Sequence, residues 1–408
     1  MLISVNEAKK NINSKIFTLG SEKINIKDSI NRILSEDIFA KFSHPRFDNS
    51  AMDGFAVKSI DTKGASKEFP VKLNIKGTIS AGLNNSNKIN HSECYQIMTG
   101  AEIPLGADAV VIVENSSGFT DSNLVNIYKE VKVNENIRFK AEEIKKNAII
   151  LKTGQRIGPY ELANAISFGY EKISVYKKPK ISIFTTGNEL VLPGTKLKSG
   201  QIYNSNLFLL VELAKNIGLD VENAEILKDD EDEIKNSIIN ALKKSDIIIS
   251  SGGISMGKYD FLKSVYEEIG VEQLFHKISQ KPGKPMFCGV LNKKFIFGLP
   301  GNPISCLICF LEYLWPLAER MMGNNFEHIY KEAELTNSFP TENNKHRFLL
   351  GKVFLHKKKL YASPSKKLGS NMLSSTIDSN AILMSNPCLN KLEKGDKIKF
   401  KFFPWMNL

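Results

Sequence analysis

Asp246-Ile-Ile-Ile-Ser-Ser-Gly-Gly-Ile-Ser-Met-Gly-Lys-Tyr-Asp260 decides the fold, because an apolar run leads through a glycine- and serine-rich turn into a helical pattern. The order strand, glycine turn, helix places backbone N–H groups and a positive helix end at the carboxyl edge of a sheet, where an oxyanion is stabilised. No Gly-Lys-Ser/Thr follows, so the turn is not a Walker loop. A tight turn that binds nothing is the alternative.

Strand and helix patterns alternate on both sides of this stretch, from about residue 178 to 326. The alternation predicts strands and helices in turn at 180–184, 204–217, 221–227, 231–244, 246–250, 259–269, 294–297 and 303–322. Asn302 is placed to cap the last helix, and Pro316 is expected to kink it. Such alternation is typical of a parallel sheet covered on both faces, and we predict a doubly wound α/β domain.

In the regions outside this domain, the hydrophobic residues follow other spacings. Ser4 and Glu7 form a capping box before a short helix, residues 28–38 form a second amphipathic stretch, and a third helical pattern lies at 158–166. Short strands between glycine turns dominate from about 55 to 133 and again after about 327. The fold class is therefore α/β plus β. We predict four domains: a discontinuous mixed helical domain at 1–45 with 136–177, a β-rich domain at 46–135, the α/β domain at 178–326 and a C-terminal β barrel at 327–408.

Composition excludes several classes of protein. The 408 residues carry a net charge of +11, but the basic residues are dispersed and nearly all lysine, unlike those of a nucleic-acid reader. The longest apolar stretch, 306–318, is too short for a membrane span. Five scattered cysteines form no disulfide framework, and the start carries no targeting pattern, so we expect a cytoplasmic protein. Cys306 and Cys309 are expected to pack in a helix rather than bind metal, and the six histidines form no zinc site.

Two further turns follow strand ends, at 185–189 and 298–303, and in a parallel sheet they would share one edge with the turn after Ser250. Three lysines, Lys277, Lys281 and Lys284, come close to them in the chain. A charge-assisted hydrogen bond contributes roughly 1.5–3 kcal/mol, so together these amines could bind a dianion or a pyrophosphate. Exposed surface lysines and loops without a ligand are the alternatives.

Three carboxylates, Glu189, Asp229 and Asp260, are predicted at the same edge. Acids beside a phosphate repel it unless a cation lies between them, and Mg²⁺ is commonly held by one or two carboxylates plus substrate phosphates. Helix capping is the alternative role for Asp229. Two polar segments outside the α/β domain, 47–57 and 97–108, are loops by composition alone.

Several motifs occur in one order along the chain: FDNSAMDGFAV (47–57), IMTGAEIPLGADAVV (97–111), NIR (136–138), TTGNELVLPG (185–194), GQIYNSN (200–206), SSGGISMGKYD (250–260), KPGKP (281–285) and FGLPGNPIS (297–305). In these stretches the chain resembles the molybdopterin molybdenumtransferases of the MoeA type, the family that includes the C-terminal domain of gephyrin. The resemblance implies a homodimer of elongated four-domain subunits with a cleft between the α/β domain of one subunit and the 47–57 and 97–108 region of the other. It also implies the last step of molybdenum cofactor synthesis, in which adenylylated molybdopterin and molybdate give the cofactor and AMP with Mg²⁺. Further partners implied are the upstream adenylyltransferase and chaperones of molybdoenzymes.

The resemblance also implies roles for individual residues. Asp53 and Thr99 would act from the partner subunit, and Glu189, Asp229 and Asp260 would hold the metal. Catalytic roles fall on Asp53, Thr99, Glu143, Glu189, Asp229 and Asp260. Substrate binding falls on Asp48, Asn49, Arg138, Thr186, Gly187, Asn204, Ser251, Gly252, Gly253, Ser255, Lys277, Lys281, Gly283, Lys284, Pro300, Asn302 and Ser370.

The chain departs from the family pattern at two of these motifs, with Glu143 in place of an aspartate and Asn188 in place of another. Three alternative functions stay open from the sequence. They are a tungstate-inserting paralogue, the adenylyl transfer to molybdopterin that precedes metal insertion, and a scaffold like gephyrin.

Overall fold

The computed structural model describes residues 2–82, 87–253, 261–387 and 391–406. The chain divides into two compact units. The first comprises Met1–Ser35, Gly154–Ile157 and Ile173–Leu408, and the second comprises Glu36–Thr153 and Gly158–Lys172. The four-domain division therefore stays a prediction. Within the described ranges, none of the helices has the length and apolar character needed to span a bilayer.

The first unit contains a six-stranded sheet, whose strands in spatial order are Asp220–Leu227, Lys180–Thr186, Ile247–Ser251, Lys294–Leu299, Phe287–Leu291 and Glu272–Phe275. The first four are parallel, as the sequence predicts. The last two strands, for which the sequence analysis makes no prediction, add antiparallel pairings. A two-residue hairpin turn, with Asn292 and Lys293 at φ of 50° and 64°, joins two of these strands and imposes that direction.

Helices cover both faces of this sheet. Ile181, Ile183 and Ile249 belong to one buried cluster, and Phe184 and Ile248 belong to another on the opposite side. This alternation follows from the two-residue period of a strand, and it confirms the doubly wound α/β domain. The covering helices are Ser205–Asn216, Glu231–Lys244, Phe261–Glu268, Pro303–Cys309 and Trp315–Met321. One wide turn with π-helical hydrogen bonds, Phe310–Leu314, joins the last two just before Pro316, and the kink at Pro316 stays a prediction.

The N-terminal segment only partly follows its predicted pattern. The helix Val5–Asn13 begins with the predicted capping box, and its Val5, Ala8 and Ile12 enter the core of the α/β domain. The predicted helix at 28–38 is wrong. A short 3₁₀ turn, Ile26–Asp28, is followed by extended chain, because Asn31 takes a left-handed conformation (φ 64°) that ends any helix there.

The C-terminal part of the first unit is a closed barrel, as predicted. Its strands are Lys331–Leu335, His346–His356, Lys359–Pro364, Ala381–Ser385 and Lys397–Phe402, and pairing of His346–His356 with Ala381–Ser385 closes it. The strand Gln280–Lys281 adds to its edge in parallel. Other short elements of the first unit are the paired strands Leu190–Val191 and Ile202–Tyr203 and the 3₁₀ turn Leu373–Thr376.

The second unit is built on a five-stranded sheet, in the spatial order Ala109–Ile112, Gly54–Val57, Glu93–Ile97, Val71–Ile79 and Leu124–Ile127. Phe55, Leu73 and Val111 fill its core. Two short antiparallel pairs, Asn49–Ser50 with Ile137–Arg138 and Ile38–Phe39 with Ile149–Leu151, lie outside this sheet. The unit also contains the 3₁₀ turns Ser59–Thr62 and Val113–Asn115 and the helix Pro159–Ser167.

Candidate active site

The three predicted turns meet at the carboxyl edge of the α/β sheet. They follow Thr186, Ser251 and Leu299, which end three adjacent parallel strands. A cavity of about 380 Å³ lies there. Predicted site residues that line it are Thr186, Glu189, Asn204, Ser251, Gly252 and Asn302. Strand order reverses between Lys180–Thr186 and Ile247–Ser251, and ligands of such folds bind at this reversal.

Gly252 and Gly253 let two of these turns approach each other closely. Gly252 has φ of 93°, and a Cβ there would lie 2.5 Å from the carbonyl oxygen of Thr186. A Cβ on Gly253, with φ of 59°, would lie 2.8 Å from Oγ1 of Thr186. Only glycine combines this conformation with this contact, so the Gly-Gly pair is required by the packing of backbone against Thr186.

A network of amide side chains fixes the floor of the cavity. Asn204 caps the helix Ser205–Asn216 and donates from Nδ2 to Oγ1 of Thr185 at 2.7 Å. Asn206 donates to Oγ of Ser251 at 3.0 Å and to the carbonyl of Gly301 at 2.7 Å, so it links two turns. Asn206 is absent from the residues predicted from sequence, although it belongs to the quoted GQIYNSN motif.

Two buried polar atoms of this cavity lack a hydrogen-bond partner within the described part of the chain, Oγ1 of Thr186 and Oδ1 of Asn206. Buried polar groups without a partner are rare and costly. A polar ligand in the cavity would satisfy both atoms, which favours a binding site over a simple turn.

The acidic residues show a clear division of roles. Asp229 accepts a hydrogen bond from the backbone N–H of Asn188 at 3.2 Å, whereas Asp230 caps the helix Glu231–Lys244. The capping role considered for Asp229 is therefore wrong. Glu189 is exposed at the cavity, with its carboxylate folded over Gly187. Asp260 and Ser255 lie outside the described residues.

The three predicted lysines do not line this cavity. Lys281 forms an ion pair with Glu342, and its hydrogen bond lowers the pKa of that carboxyl group. In the parallel pair of strands Lys281 is opposite Arg347, a buried cation that the sequence did not single out and whose Nε has no partner among the described residues. Gly283, with φ of 89°, packs this lysine segment against Cys309. An anion bound here would have to compete with Glu342.

The barrel contributes a loop to the site. Asn302 donates from Nδ2 to Oγ of Ser370 at 3.0 Å, and the N–H of Ile304 donates to the carbonyl of Ser370 at 3.0 Å. Asn371 and Leu373 line the cavity. Pro300 accepts at its carbonyl from Oγ of Ser251 at 3.4 Å. The sequence separation of about 70 residues gave no direct signal for this contact.

In the second unit, Asp53 and Thr99 are in direct contact. Oδ1 of Asp53 accepts from the backbone N–H of Thr99 at 2.7 Å and from its hydroxyl at 2.8 Å. These two bonds lower the pKa of Asp53 and hold it ionised. Asp48 accepts from the N–H of Lys140 at 2.8 Å.

Asn49 and Arg138 are opposite each other in the short strand pair of the second unit. Glu143 lies with its Oε2 3.5 Å from Nε2 of His44. The sequence did not single out His44, which precedes the quoted FDNSAMDGFAV motif by three residues.

The cysteine pair lies in the core of the α/β domain. Cys306 and Cys309 are fully buried, and burial raises the pKa of Cys306 to about 12. The thiols therefore stay protonated, and the prediction of core packing is confirmed. Among the residues that the structure describes, no group of three or more histidine, cysteine, aspartate or glutamate side chains is arranged to hold a metal ion.

Three protein-family models match consecutive parts of the chain. They are the MoeA N-terminal region (domain I and II) at residues 3–169, a probable molybdopterin binding domain at 182–320, and the MoeA C-terminal region (domain IV) at 332–403. The first and third are regions of one family, and the three together cover most of the chain.

Curated relatives and solved structures agree with these matches. The molybdopterin molybdenumtransferase of Staphylococcus aureus (strain COL) is 36% identical over 355 residues, which cover 86% of this chain and 84% of the relative. That of Bacillus subtilis (strain 168) is 34% identical over 367 residues, covering 89% and 85%. A crystal structure of a molybdopterin biosynthesis MoeA protein from Pyrococcus horikoshii OT3 superposes with a TM-score of 0.83 at 27% identity, covering 99% of this chain and 100% of that one.

Proposed function

Because the chain belongs to the MoeA family of molybdopterin molybdenumtransferases, which act in the final step of molybdenum cofactor synthesis, we propose that it inserts molybdate into adenylylated molybdopterin and releases AMP. It is a transferase. The adenylylated form of the substrate and the dependence on Mg²⁺ are the parts that go beyond family membership.

The cavity at the carboxyl edge of the sheet supports this function. Its lining offers the unpartnered hydroxyl of Thr186 and amide oxygen of Asn206, and glycines at 252 and 301 leave backbone open to a ligand. A pyrophosphate linkage presents several acceptor oxygens, which suit the hydroxyl of Thr186 and the backbone N–H groups of the turns. The amide oxygen of Asn206 is an acceptor and would instead pair with an N–H or O–H group of the substrate. We infer that the phosphates and the pterin end occupy this cavity. Lys277, Lys281 and Lys284 lie outside its lining, and we propose that they engage the molybdate together with Ser370.

Two carboxylates at the edge fit a magnesium ion. Glu189 is exposed at the cavity, and Asp229 lies on the neighbouring turn, held by the N–H of Asn188. Mg²⁺ accepts such a set when phosphate oxygens and water complete its shell. Glu189 and Asp229 would hold the ion, with Asp260 as the predicted third ligand. When bound, Mg²⁺ neutralises charge on the phosphoanhydride that is cleaved.

The second unit supports a role for a partner subunit. Asp53 is kept ionised by Thr99 and is therefore prepared to orient a donor or a cation. We infer a homodimer in which Asp53 and Thr99 of the partner subunit complete the cleft. Among the described residues the cysteines are buried and form no disulfide, which supports the cytoplasm as its place of action.

The test is AMP release from adenylylated molybdopterin by the purified protein with Mg²⁺. We expect release only when molybdate or tungstate is added, and running each oxyanion separately determines which metal is inserted. Release without either oxyanion would reject metal insertion. ATP consumption with formation of adenylylated molybdopterin would instead assign the protein to the preceding adenylyl transfer.

A further inference from the structure

One segment of the C-terminal barrel carries most of the net charge of the chain. Basic residues are spread along the whole sequence, but no acidic residue occurs between Glu342 and Asp378. This stretch, less than a tenth of the chain, contains eight of the 55 lysines and arginines and so carries +8 of the net charge of +11. A lysine-rich composition alone does not explain this concentration, because the rest of the chain nearly balances its charges. The exposed basic residues of the stretch are Lys352, Lys357, Lys358, Lys359, Lys366 and Lys367.

The end of the barrel hairpin in this stretch, the lysine tip of residues 355–359, projects beyond the core of the barrel. Val353 and Ala362 are paired across the two strands and are buried in that core. Leu355 lies on the same side of its strand as Val353 but is 61% exposed, so the core ends before it. The other residues of the lysine tip are exposed as well. The lysine tip therefore adds little buried apolar surface to the fold.

The turn of the lysine tip is built from residues that do not favour its conformation. Lys357 and Lys358 have φ of 45° and 65°, in the left-handed region. Two-residue hairpin turns of this kind favour asparagine and glycine, because a longer side chain at positive φ crowds the backbone. Residues held in sparsely populated conformations are common at functional sites. Two lysines at these positions therefore indicate a role other than folding.

The outer face of the hairpin adds aromatic rings to the charge. Phe354 lies opposite Tyr361, and the two rings stack with their centroids 6.0 Å apart. Lys352 and Lys359 share this face, because side chains two residues apart lie on the same side of a strand. The hairpin thus presents two stacked rings between lysines, with Leu355 exposed at its end.

Ion pairs do not neutralise this surface in the part of the chain that the structure describes. The barrel lysines that form ion pairs there are Lys345, Lys391, Lys397 and Lys401. Glu334, on the neighbouring strand, is opposite Tyr361, but on its other side it is opposite Lys397. The charge of this acid is therefore offset by a lysine outside the hairpin, and the lysine tip keeps its positive charge.

A projecting surface of lysines, aromatic rings and an exposed leucine fits an anionic lipid surface. Each lysine that comes close to anionic headgroups adds to the affinity, and an ammonium group does so without the planar fork by which arginine recognises single phosphates. Aromatic rings are enriched at the boundary between headgroups and acyl chains, where an exposed leucine also becomes buried. A nucleic-acid reader would instead present arginine, and Arg347 of this hairpin is buried.

We propose that the lysine tip and the outer face of its hairpin bind the anionic surface of a lipid bilayer. The contact is peripheral: lysines supply the attraction, and Leu355 supplies the apolar contact that such binding needs in addition to charge. This inference is independent of the proposed function, because no residue of the hairpin lines the sheet-edge cavity.

The experiment is co-sedimentation of the full-length protein with vesicles of phosphatidylglycerol and phosphatidylcholine in equal amounts, and with vesicles of phosphatidylcholine alone. We expect binding to the anionic vesicles only, and weaker binding as the NaCl concentration rises. The triple variant Lys357→Gln, Lys358→Gln, Lys359→Gln should bind the anionic vesicles about tenfold more weakly or worse. Leu355→Asn should weaken binding by about threefold and leave its salt dependence unchanged, because only apolar contact is lost.

The matched control is the triple variant Lys63→Gln, Lys67→Gln, Lys129→Gln. It removes the same charge from exposed positions of the second unit, where Glu68 and Glu130 adjoin the lysines, and should change binding by less than about twofold. Equal binding of the two triple variants would overturn the proposal, as would failure of the unchanged protein to bind anionic vesicles. Binding of a single-stranded RNA in place of vesicles, lost only in the lysine-tip variant, would assign the hairpin to nucleic acid instead. AMP release in the absence of lipid should be the same in the unchanged protein and both triple variants.

Discussion

At the scale of single residues, the hydroxyl of Thr186 indicates a ligand site more directly than any charged group of the site does. It is buried, it faces the glycine turn, and it has no partner within the described structure. The neighbouring hydroxyl, Oγ1 of Thr185, accepts from Asn204 and so belongs to the scaffold. Thr186 is therefore expected to serve ligand binding, whereas Thr185 serves the stability of the fold.

Thr186→Val should change the free energy of unfolding by less than about 0.5 kcal/mol, because only a hydrogen bond to the ligand is lost. It should weaken the binding of the substrate by roughly tenfold. Thr185→Val is the matched control and should cost about 1–3 kcal/mol, since the amide of Asn204 loses its partner. Urea unfolding and the KM for adenylylated molybdopterin measure the two effects. A stability loss in Thr186→Val equal to that in Thr185→Val would contradict a ligand-directed hydroxyl.

Gly252→Ala should reduce both stability and turnover. Its Cβ would lie 2.5 Å from the carbonyl oxygen of Thr186, so the turn must shift. Gly218 has φ of 83° and nothing within 4 Å, so Gly218→Ala isolates the cost of the backbone conformation, about 1–2 kcal/mol. We expect Gly252→Ala to lose a further 1–3 kcal/mol, approximately, and at least tenfold in the rate of AMP release. Equal losses in unfolding experiments would refute the packing argument.

At the scale of elements, the helix Glu231–Lys244 shows how much of a secondary-structure element can be predicted from sequence. Its bounds were predicted correctly, because its charged first turn and its apolar period are local signals. The two adjacent acids are harder to assign from sequence. The sequence offers helix capping as an alternative role for Asp229, whereas in the structure Asp230 caps the helix. A choice between neighbouring acids depends on backbone direction, which the sequence pattern does not contain.

Asp230→Ala should therefore destabilise the protein by about 0.5–2 kcal/mol through loss of the cap, with an unchanged requirement for Mg²⁺. Asp229→Ala should leave unfolding nearly unchanged and raise the Mg²⁺ concentration needed for half-maximal AMP release. Magnesium titrations of both variants test this division. The opposite assignment of the two effects would show that Asp229 is not a metal ligand.

Other elements could not be predicted for physical reasons. The strands Glu272–Phe275 and Phe287–Leu291 are only four and five residues long, so neither gives a clear period. Contacts between distant segments, such as Asn302 with Ser370, arise from how the barrel packs. The three turns of the site are predicted correctly because their signals are local, whereas Asn206 and Arg347 emerge only from the folded chain.

At the scale of the whole molecule, a buried charge network joins separate parts of the first unit. Glu312, on the wide helical turn, contacts Lys9 of the N-terminal helix at 2.9 Å and Lys401 of the barrel at 2.6 Å. Burial acts to raise the pKa of Glu312, but both lysines outweigh it and keep the group ionised. His328 completes the network, with Nε2 3.1 Å from Nζ of Lys401.

Stability should fall as the pH drops below about 6.5, and His328 should account for part of that fall. Burial, and then the charge of Lys401, lowers the pKa of His328 to about 3. Between these values the unfolded chain binds a proton that the folded chain does not, so stability rises with pH. From pH 7.5 to pH 5 the loss from this group is about 2 kcal/mol. His328→Asn should lose less stability over that interval than the unchanged protein, as measured by urea unfolding.

The exposed His356 provides the control for this effect. His356→Asn should follow the unchanged protein at both pH values. An identical pH response in His328→Asn and His356→Asn would mean that the network does not hold His328 uncharged.

The central claim is that the substrate lies at the carboxyl edge of the α/β sheet, in the cavity lined by Thr186, Gly252 and Asn302. A crystal structure of the protein with adenylylated molybdopterin and Mg²⁺, in the absence of molybdate, measures this most directly. The account predicts pyrophosphate density in that cavity, with an oxygen atom within hydrogen-bonding distance of Oγ1 of Thr186. Well-defined substrate density elsewhere, with this cavity filled only by water, would contradict it.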